Sequence, residues 1–361
     1  MPLVGTVKLR KNPTALITET AKALESDFTL VMTGTPVENS FTDLWSLTDT
    51  AVPGFMGTLK EFCATYGDDA DLEESGAKLH AMLTGLASLP SGTEPIRLLM
   101  RRLKTERLKA LPEKRLSVVE RVMPPEQAEA YRAILAARRE NPRAPKNSPL
   151  AVLARLAECS LTGGRPLAEG EALGADRIAG SARLQAFFEI LDGIAARREK
   201  AVVFVQHFAL QDAVARTIRE RYGLGHLPGK INGTMPSAAR QRVVDAFQSG
   251  PDGFDAVVLT GRAAGTGLTL TAANHVVHLE RWWNPAVEDQ CSDRVYRIGQ
   301  QRPVTVHVPL ALLAPGDATC FDAQLHAFLE RKRVRSASVL QPVMTDAGES
   351  ELATAVLGAD D

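Results

Sequence analysis

In the second half of the chain, short and nearly continuous apolar runs alternate with amphipathic stretches. Residues 201–206 (AVVFVQ), 256–260 (AVVLT), 275–279 (HVVHL) and 304–310 (VTVHVPL) read as strands, with helical patterns at about 210–222, 237–248 and 286–296. Strands apolar on both sides and separated by amphipathic helices predict an α/β fold with a parallel sheet covered on both faces. The first part of the chain reads differently. A helical pattern at 13–25 precedes a short apolar run, FTLVM at 28–32, which reads as a strand ending in the turn Thr33-Gly34-Thr35-Pro36. A long, mainly helical stretch follows, with Leu44, Trp45 and Leu47, then Leu98, Leu99 and Leu103, at helical spacings. Residues 138–180 are rich in Pro and Gly and predict a linker holding one helix, about 150–159. The stretch 336–361 has no Lys or Arg and several acidic residues, and is expected to be mobile.

Composition narrows the function classes. The 361 residues are 45% hydrophobic and 24% charged, which is ordinary for a globular protein with one or two cores. The formal net charge of −1 excludes a broad basic field, so any nucleic-acid contact must be a local patch. Cys63, Cys159, Cys291 and Cys320 stand far apart without a CxxC pair, which argues against a zinc site or a disulfide framework. No secretion signal and no apolar run of about 18 residues is visible, so a cytoplasmic protein is expected, with no membrane partner.

Three segments carry candidate chemistry. In QCSDRVYRIGQ (residues 290–300), a continuing helix would place Gln290, Asp293, Arg294 and Arg297 on one face. Asp293 can orient only one of the two arginines, and a guanidinium pair suits an anion with several oxygens, such as a triphosphate. The plainer alternative is a solvated basic face. In LTGRAAGTGLTL (259–270), small residues after a strand, among them Gly265 and Gly267, can admit a close ligand and offer backbone amides to phosphate oxygens. In VMTGTPVEN (31–39), Thr33, Gly34 and Thr35 sit where a strand of a parallel sheet ends, the edge at which α/β ligands bind. No Ser/His/Asp or Cys/His grouping at a recognisable spacing points to a small-molecule hydrolase.

These segments occur in one order with others: TGTPVEN, LWSL at 44–47, VPGFMGTLKEF at 52–62, RRLKTERLKALPEK at 101–114 and WNPAVEDQCSDRVYRIGQQRPV at 283–304. Over residues 11–312 the chain resembles the Swi/Snf-type ATPases of helicase superfamily two. In that family two RecA-like lobes sandwich ATP and move along double-stranded DNA. The resemblance implies a remnant of the first lobe at 1–52, a helical insertion and linker at 53–180, a second RecA-like lobe at 181–335 and an acidic tail at 336–361. It implies that Arg294 and Arg297 are arginine fingers, with Gly265, Gly267, Gln290 and Asp293 near the nucleotide. Thr33, Gly34, Thr35, Gln206, Thr260, Arg262 and Trp283 would contact DNA or couple it to ATP. Residues 200–206 and 227–233, with Arg240, match the second lobe's other motifs. Two departures touch the DNA contacts: Tyr296 stands where the family usually has histidine, and Arg262-Ala263-Ala264 where it is richer in glycine.

ATP and Mg2+ are implied for a complete motor, which needs a Gly-Lys-Ser/Thr loop and an Asp-Glu pair. The sequence contains neither; Gly229-Lys230 is followed by Ile231. The resemblance therefore implies a C-terminal half that is inactive alone, its first lobe supplied upstream in the same gene or by a partner chain. The alternative is a non-catalytic DNA- or protein-binding module derived from such a motor.

Overall fold

The computed structural model describes residues 16–24, 26–33, 37, 40–67, 72–85, 98–100, 111–165, 173–261, 267–338 and 346–357. The chain divides into two compact units, residues 1–107 with 330–348 and residues 108–329 with 349–361.

The first unit contains helices α1 (Leu16–Lys22), α2 (Phe41–Ala51), α3 (Leu59–Tyr66) and α4 (Leu72–Thr84). Val37, Phe41, Leu44, Trp45, Phe62, Leu79 and Leu83 form its core, as the helical spacing of Leu44, Trp45 and Leu47 requires. A capping box starts α3: Thr58 accepts from the Glu61 amide while the Glu61 carboxylate accepts from Thr58 N. The run at 28–32 is not a strand. Its Phe28, Leu30 and Met32 are 81%, 69% and 77% exposed. A strand needs a neighbour for its backbone groups, and no described strand pairs with this one.

In the second unit the described residues build one parallel sheet of β1 (Lys114–Val122), β2 (Lys200–Phe204), β3 (Gly229–Ile231), β4 (Asp255–Leu259), β5 (His275–His278) and β6 (Val304–Leu312), ordered β1-β6-β5-β2-β4-β3. Every residue of β2, β4 and β5 is buried, which is why these strands read as unbroken apolar runs. The other described α-helices are α5 (Pro125–Glu140), α6 (Pro149–Thr162), α7 (Ala175–Ala179), α8 (Ala182–Ala196), α9 (Phe208–Arg221), α10 (Ser237–Ser249) and α11 (Pro285–Ser292), with α12 (Phe321–Ser338) and α13 (Asp346–Leu357) each shared between the residues of the two units. Phe187, Leu191, Val214 and Ile218 from α8 and α9 share one core cluster with Val203, Val258 and Val277. Val244, Phe247, Cys291, Val295 and Tyr296 share another with Val202, Val257 and Val276.

Three sequence readings are corrected here. Residues 114–122, within the stretch read as mainly helical, form β1 and pair with β6 along all nine residues. Its pattern KRLSVVERV is half charged or polar because an edge strand is only partly covered; Leu116 is 50% exposed and Val122 45%. The described residues of this stretch, 138–165 and 173–180, are packed structure rather than a one-helix linker: Val152, Leu153 and Leu156 of α6 are buried beside Tyr131 of α5, and α7 follows at Ala175–Ala179. The Pro-rich turn before α6 is held by side chains. Asn147 Nδ2 donates to the carbonyls of Ala137 and Asn141, both at 2.8 Å, and Arg138 Nη1 to those of Pro142 (2.8 Å) and Asn147 (2.7 Å). Finally, the acidic stretch expected to be mobile contains α13, whose Leu352 and Ala353 are buried in the same cluster.

Candidate functional site

Helix α11 starts at an Asn284 cap, whose side chain accepts from Ala286 N at 2.9 Å, with Pro285 in its first turn. It ends at Ser292, short of both arginines. From there Arg294 N donates to Cys291 O (3.1 Å), Val295 N to Ser292 O (3.1 Å) and Gln300 N to Arg297 O (2.9 Å); one helix-type bond, Tyr296 N to Ser292 O (3.0 Å), remains among these tighter turns, so the regular α-helical ladder is broken up. Arg294 and Arg297 therefore do not share a helical face. The apolar spacing of Cys291, Val295 and Tyr296 fits a tightened turn as well as a helix, which is why periodicity overran the boundary. Burial of Val295 and Tyr296 seats the turn on the sheet-side core between the two arginines.

The guanidiniums differ. Arg294 is half-buried and its Nε, buried, has no hydrogen-bond partner among the described residues. Burial holds its pKa below the usual arginine value, Arg297 adds to the effect, and Cys291 and Asp293 oppose it. Arg297 Nη1 reaches the carbonyls of Gly267 and Leu268 only at 3.4 Å each, the long limit of a hydrogen bond. Asp293 lies 3.5 Å from Lys114 Nζ, which also sits 5.6 Å over the Tyr296 ring. Gln290 is half-buried at the end of the helix. Two cations that act on each other electrostatically, one with a buried donor unmatched, make an arrangement that an anion would complete.

The segment facing this turn leaves β4 through Thr260, a buried residue whose amide donates to Ile231 O at 3.0 Å. Gly261 lies against the Trp282 indole, whose buried Nε1 has no partner among the described residues. Arg262 and Gly265 lie outside the described residues. Gly267 is exposed with a left-handed φ of +78°. Residues 267–274 and 293–302 are then laced together: Leu270 N donates to Arg294 O at 2.9 Å and Arg302 Nη2 to Ala272 O at 2.7 Å.

At the carboxyl ends of β2 and β5, Gln206 is turned inward, its Nε2 donating to Arg281 O at 3.1 Å. The buried Glu280 carboxylate accepts from the amides of Gln206 and His207 and from the His207 ring. His207 is the outward group, with 70% of its side chain exposed, and Glu280 raises its pKa above 6.5. Arg281 and Glu288 form a buried two-pronged pair, Nε–Oε1 2.9 Å and Nη2–Oε2 2.6 Å. Trp283 is half-buried and packs on Phe321 with ring centres 6.0 Å apart. Arg240 braces the turn before α10 through the carbonyls of Met235 (2.9 Å) and Gly233 (3.1 Å). In the first unit Thr33 is exposed, and Gly34 and Thr35 lie outside the described residues. Sequence reading did not single out Glu280, His207 or Trp282. Glu280 follows a strand directly, and a carboxylate at a strand end is the one signal that could have marked it.

Among the described residues no group of three His, Cys, Asp or Glu side chains is arranged to hold a metal ion. No helix among them is long and apolar enough to cross a membrane.

Two family models match the chain: an SNF2-related domain over residues 8–162 and a helicase conserved C-terminal domain over residues 182–299. The Zorya protein ZorD of Escherichia coli is 34% identical, covering 91% of this chain and 30% of that protein. An uncharacterized ATP-dependent helicase of Mycoplasma genitalium is 29% identical over 82% of this chain and 27% of its own length. The chain thus spans less than a third of these relatives. The Sulfolobus solfataricus SWI2/SNF2 ATPase core in complex with dsDNA matches 97% of this chain and 71% of that one, with a TM-score of 0.52 and 24% identity, a likeness of fold.

Proposed function

We propose a function from one premise: the chain belongs to the SNF2-related, helicase-like ATPases, with an SNF2-related domain followed by a helicase C-terminal domain built on a RecA-like α/β sheet. It is the second-lobe part of an ATP-dependent motor that moves on double-stranded DNA or remodels complexes on it. ATP is the substrate, held mainly by a first lobe from upstream sequence or a partner chain. Arg294 and Arg297 reach its phosphates as arginine fingers, beside Gly265, Gly267, Gln290 and Asp293. Thr33, Gly34, Thr35, Gln206, Thr260, Arg262 and Trp283 lie along the DNA track or its coupling to the nucleotide.

The observation that carries this reading is the arginine turn, where Arg294 and Arg297 act on each other electrostatically and a buried Arg294 Nε stands unmatched among the described residues. Such donors stabilise charge that develops on a transferring phosphoryl group more than charge already present in bound ATP. The exposed, alternating Phe28, Leu30 and Met32 support a complementary lobe, because they form the kind of apolar strand that a neighbouring sheet would cover. The Mg2+ such chemistry uses is assigned to no residue of this chain, whose described side chains do not fit it. For this polypeptide taken alone, a sequence without Gly-Lys-Ser/Thr fits the second reading, a DNA- or protein-binding module without turnover.

The deciding experiment joins this chain to a phosphate-binding first lobe and substitutes Arg297. Arg297→Ala is expected to lower DNA-stimulated ATP turnover by roughly a thousandfold, as for other arginine fingers, with much smaller change in nucleotide affinity. Arg297→Lys keeps the charge, loses the planar fork and rescues poorly. Turnover near that of the unsubstituted protein would reject the finger role and favour the binding module.

A further inference from the structure

The arginines stand beyond the end of α11, on tight turns with a single helix-type bond between them, yet the stretch is anchored at one residue beyond them. Gln300 is 5% exposed, and its side-chain amide is fully engaged. Nε2 donates to the carbonyls of Ala273 (2.7 Å), Thr271 (3.2 Å) and Val295 (3.3 Å). Oε1 accepts from the amides of Gln301 and Arg302, both at 3.0 Å, and the backbone amide of Gln300 closes the turn onto Arg297 O at 2.9 Å. One amide group thereby ties three pieces of chain: the turn before β5, the arginine turn and the lead into β6. Gly299 supplies the geometry. Its φ of +100° is a conformation that side chains rarely adopt, although the space around a Cβ there is open.

We infer that Gln300 is a positioning residue for Arg294 and Arg297, acting through the backbone of the arginine turn without touching a ligand. This rests on the finger reading for its effect on turnover, but not for its structural content. A side-chain amide carries two N–H donors, here shared among three carbonyls, beside an oxygen that accepts from two backbone amides. Glutamate has the same shape but would turn an oxygen toward those three carbonyls. Methionine would leave both sets of backbone groups unmatched.

Two measurements test it. Hydrogen exchange on the whole chain carrying Gln300→Glu, and separately Gln300→Met, should show peptides spanning 267–274 and 293–302 losing protection by about tenfold or more, while β2 and β4 keep theirs. Unchanged protection in both variants overturns the inference, as does a uniform loss across the sheet, which would mark Gln300 as general core. In the protein joined to a first lobe, Gln300→Met should lower turnover about a hundredfold, the effect of a small misplacement of reacting groups, with the KM for ATP little changed. Added to Arg297→Ala, it should cost little more, because a residue that acts through the arginines has nothing left to position. A full additive loss would overturn the positioning role. If the unsubstituted joined protein shows no turnover, the proposed function fails, and the exchange pattern alone decides on Gln300.

Discussion

Gly261 leaves room for nothing larger than hydrogen. A Cβ there would overlap the Trp282 indole, lying 2.5 Å from its Cε2, and a rigid ring has no flexible end to give way cheaply. Gly261→Ala is expected to destabilise by about 1–3 kcal/mol, the usual cost of overpacking. Denaturant unfolding followed by tryptophan fluorescence measures it, and an unchanged midpoint would show that the indole swings aside. His207 poses a different residue-scale question. Its hydrogen bond to Glu280 raises the imidazole pKa above the ordinary 6.5, the Glu280 charge adds to this, and burial and the more distant Glu158 carboxylate have smaller effects. The folded state therefore holds the proton more tightly than the unfolded one. The stabilisation is complete below about pH 6.5 and is lost as pH rises through the folded value. His207→Gln should accordingly lower the denaturation midpoint more at about pH 6 than at about pH 9. A gap that grows toward alkaline pH would mean the imidazole is not the charged partner.

Among the elements, α11 is fixed to the sheet by a buried ion pair rather than by apolar contacts alone. Arg281, just after β5, and Glu288, in the middle of α11, have side chains 4% and 1% exposed, and Arg281 Nη1 also meets His326 Nδ1 at 2.7 Å. Removing one partner strands the other charge in the interior, so Glu288→Ala is expected to cost about 3–5 kcal/mol. Thermal unfolding of this variant beside a double replacement of Arg281 and Glu288 by methionine tests it. The apolar pair should recover most of the loss, and a double variant as unstable as the single one would contradict the account. This element also shows what a sequence can and cannot disclose. The strands β2, β4, β5 and β6 were legible to within two residues, because fully buried strands leave unbroken apolar runs. The end of α11 was not, because burial at i and i+4 persists through the tighter turns that follow it. Strand β1 was hidden for the opposite reason: at the sheet edge its outer residues are free to be polar, and the pairing partner lies almost two hundred residues away. At the site, the residue types of the arginine turn were legible in order and spacing. The inward turn of Gln206 and the lacing by Gln300 depend on contacts across the fold that no local pattern encodes.

For the molecule as a whole, charge sets the strongest constraint on the proposed DNA track. Forty-two basic residues face forty-three acidic ones, so no long-range field draws the chain onto DNA. Several of the cations are also committed locally: Arg183 is paired with Asp322, Arg221 with Asp192 and Lys230 with Asp212. Affinity for duplex DNA must then come from a small number of phosphate contacts, each releasing about one counterion. The chain alone is expected to bind duplex DNA weakly, in the range of about 10⁻⁴–10⁻⁶ M near physiological salt, typical of sequence-independent binding. With about three to five phosphates engaged, the logarithm of affinity should fall with that of salt at a slope of roughly −2.7 to −4.5. Duplexes of unrelated sequence should bind alike, since contacts to the backbone carry no sequence information. Fluorescence anisotropy at several salt concentrations gives slope and selectivity from one titration series. A complex indifferent to salt, or one that prefers a particular sequence, would count against a translocase track and point instead to a base-reading surface, for which the arrangement of charges found here supplies no reason.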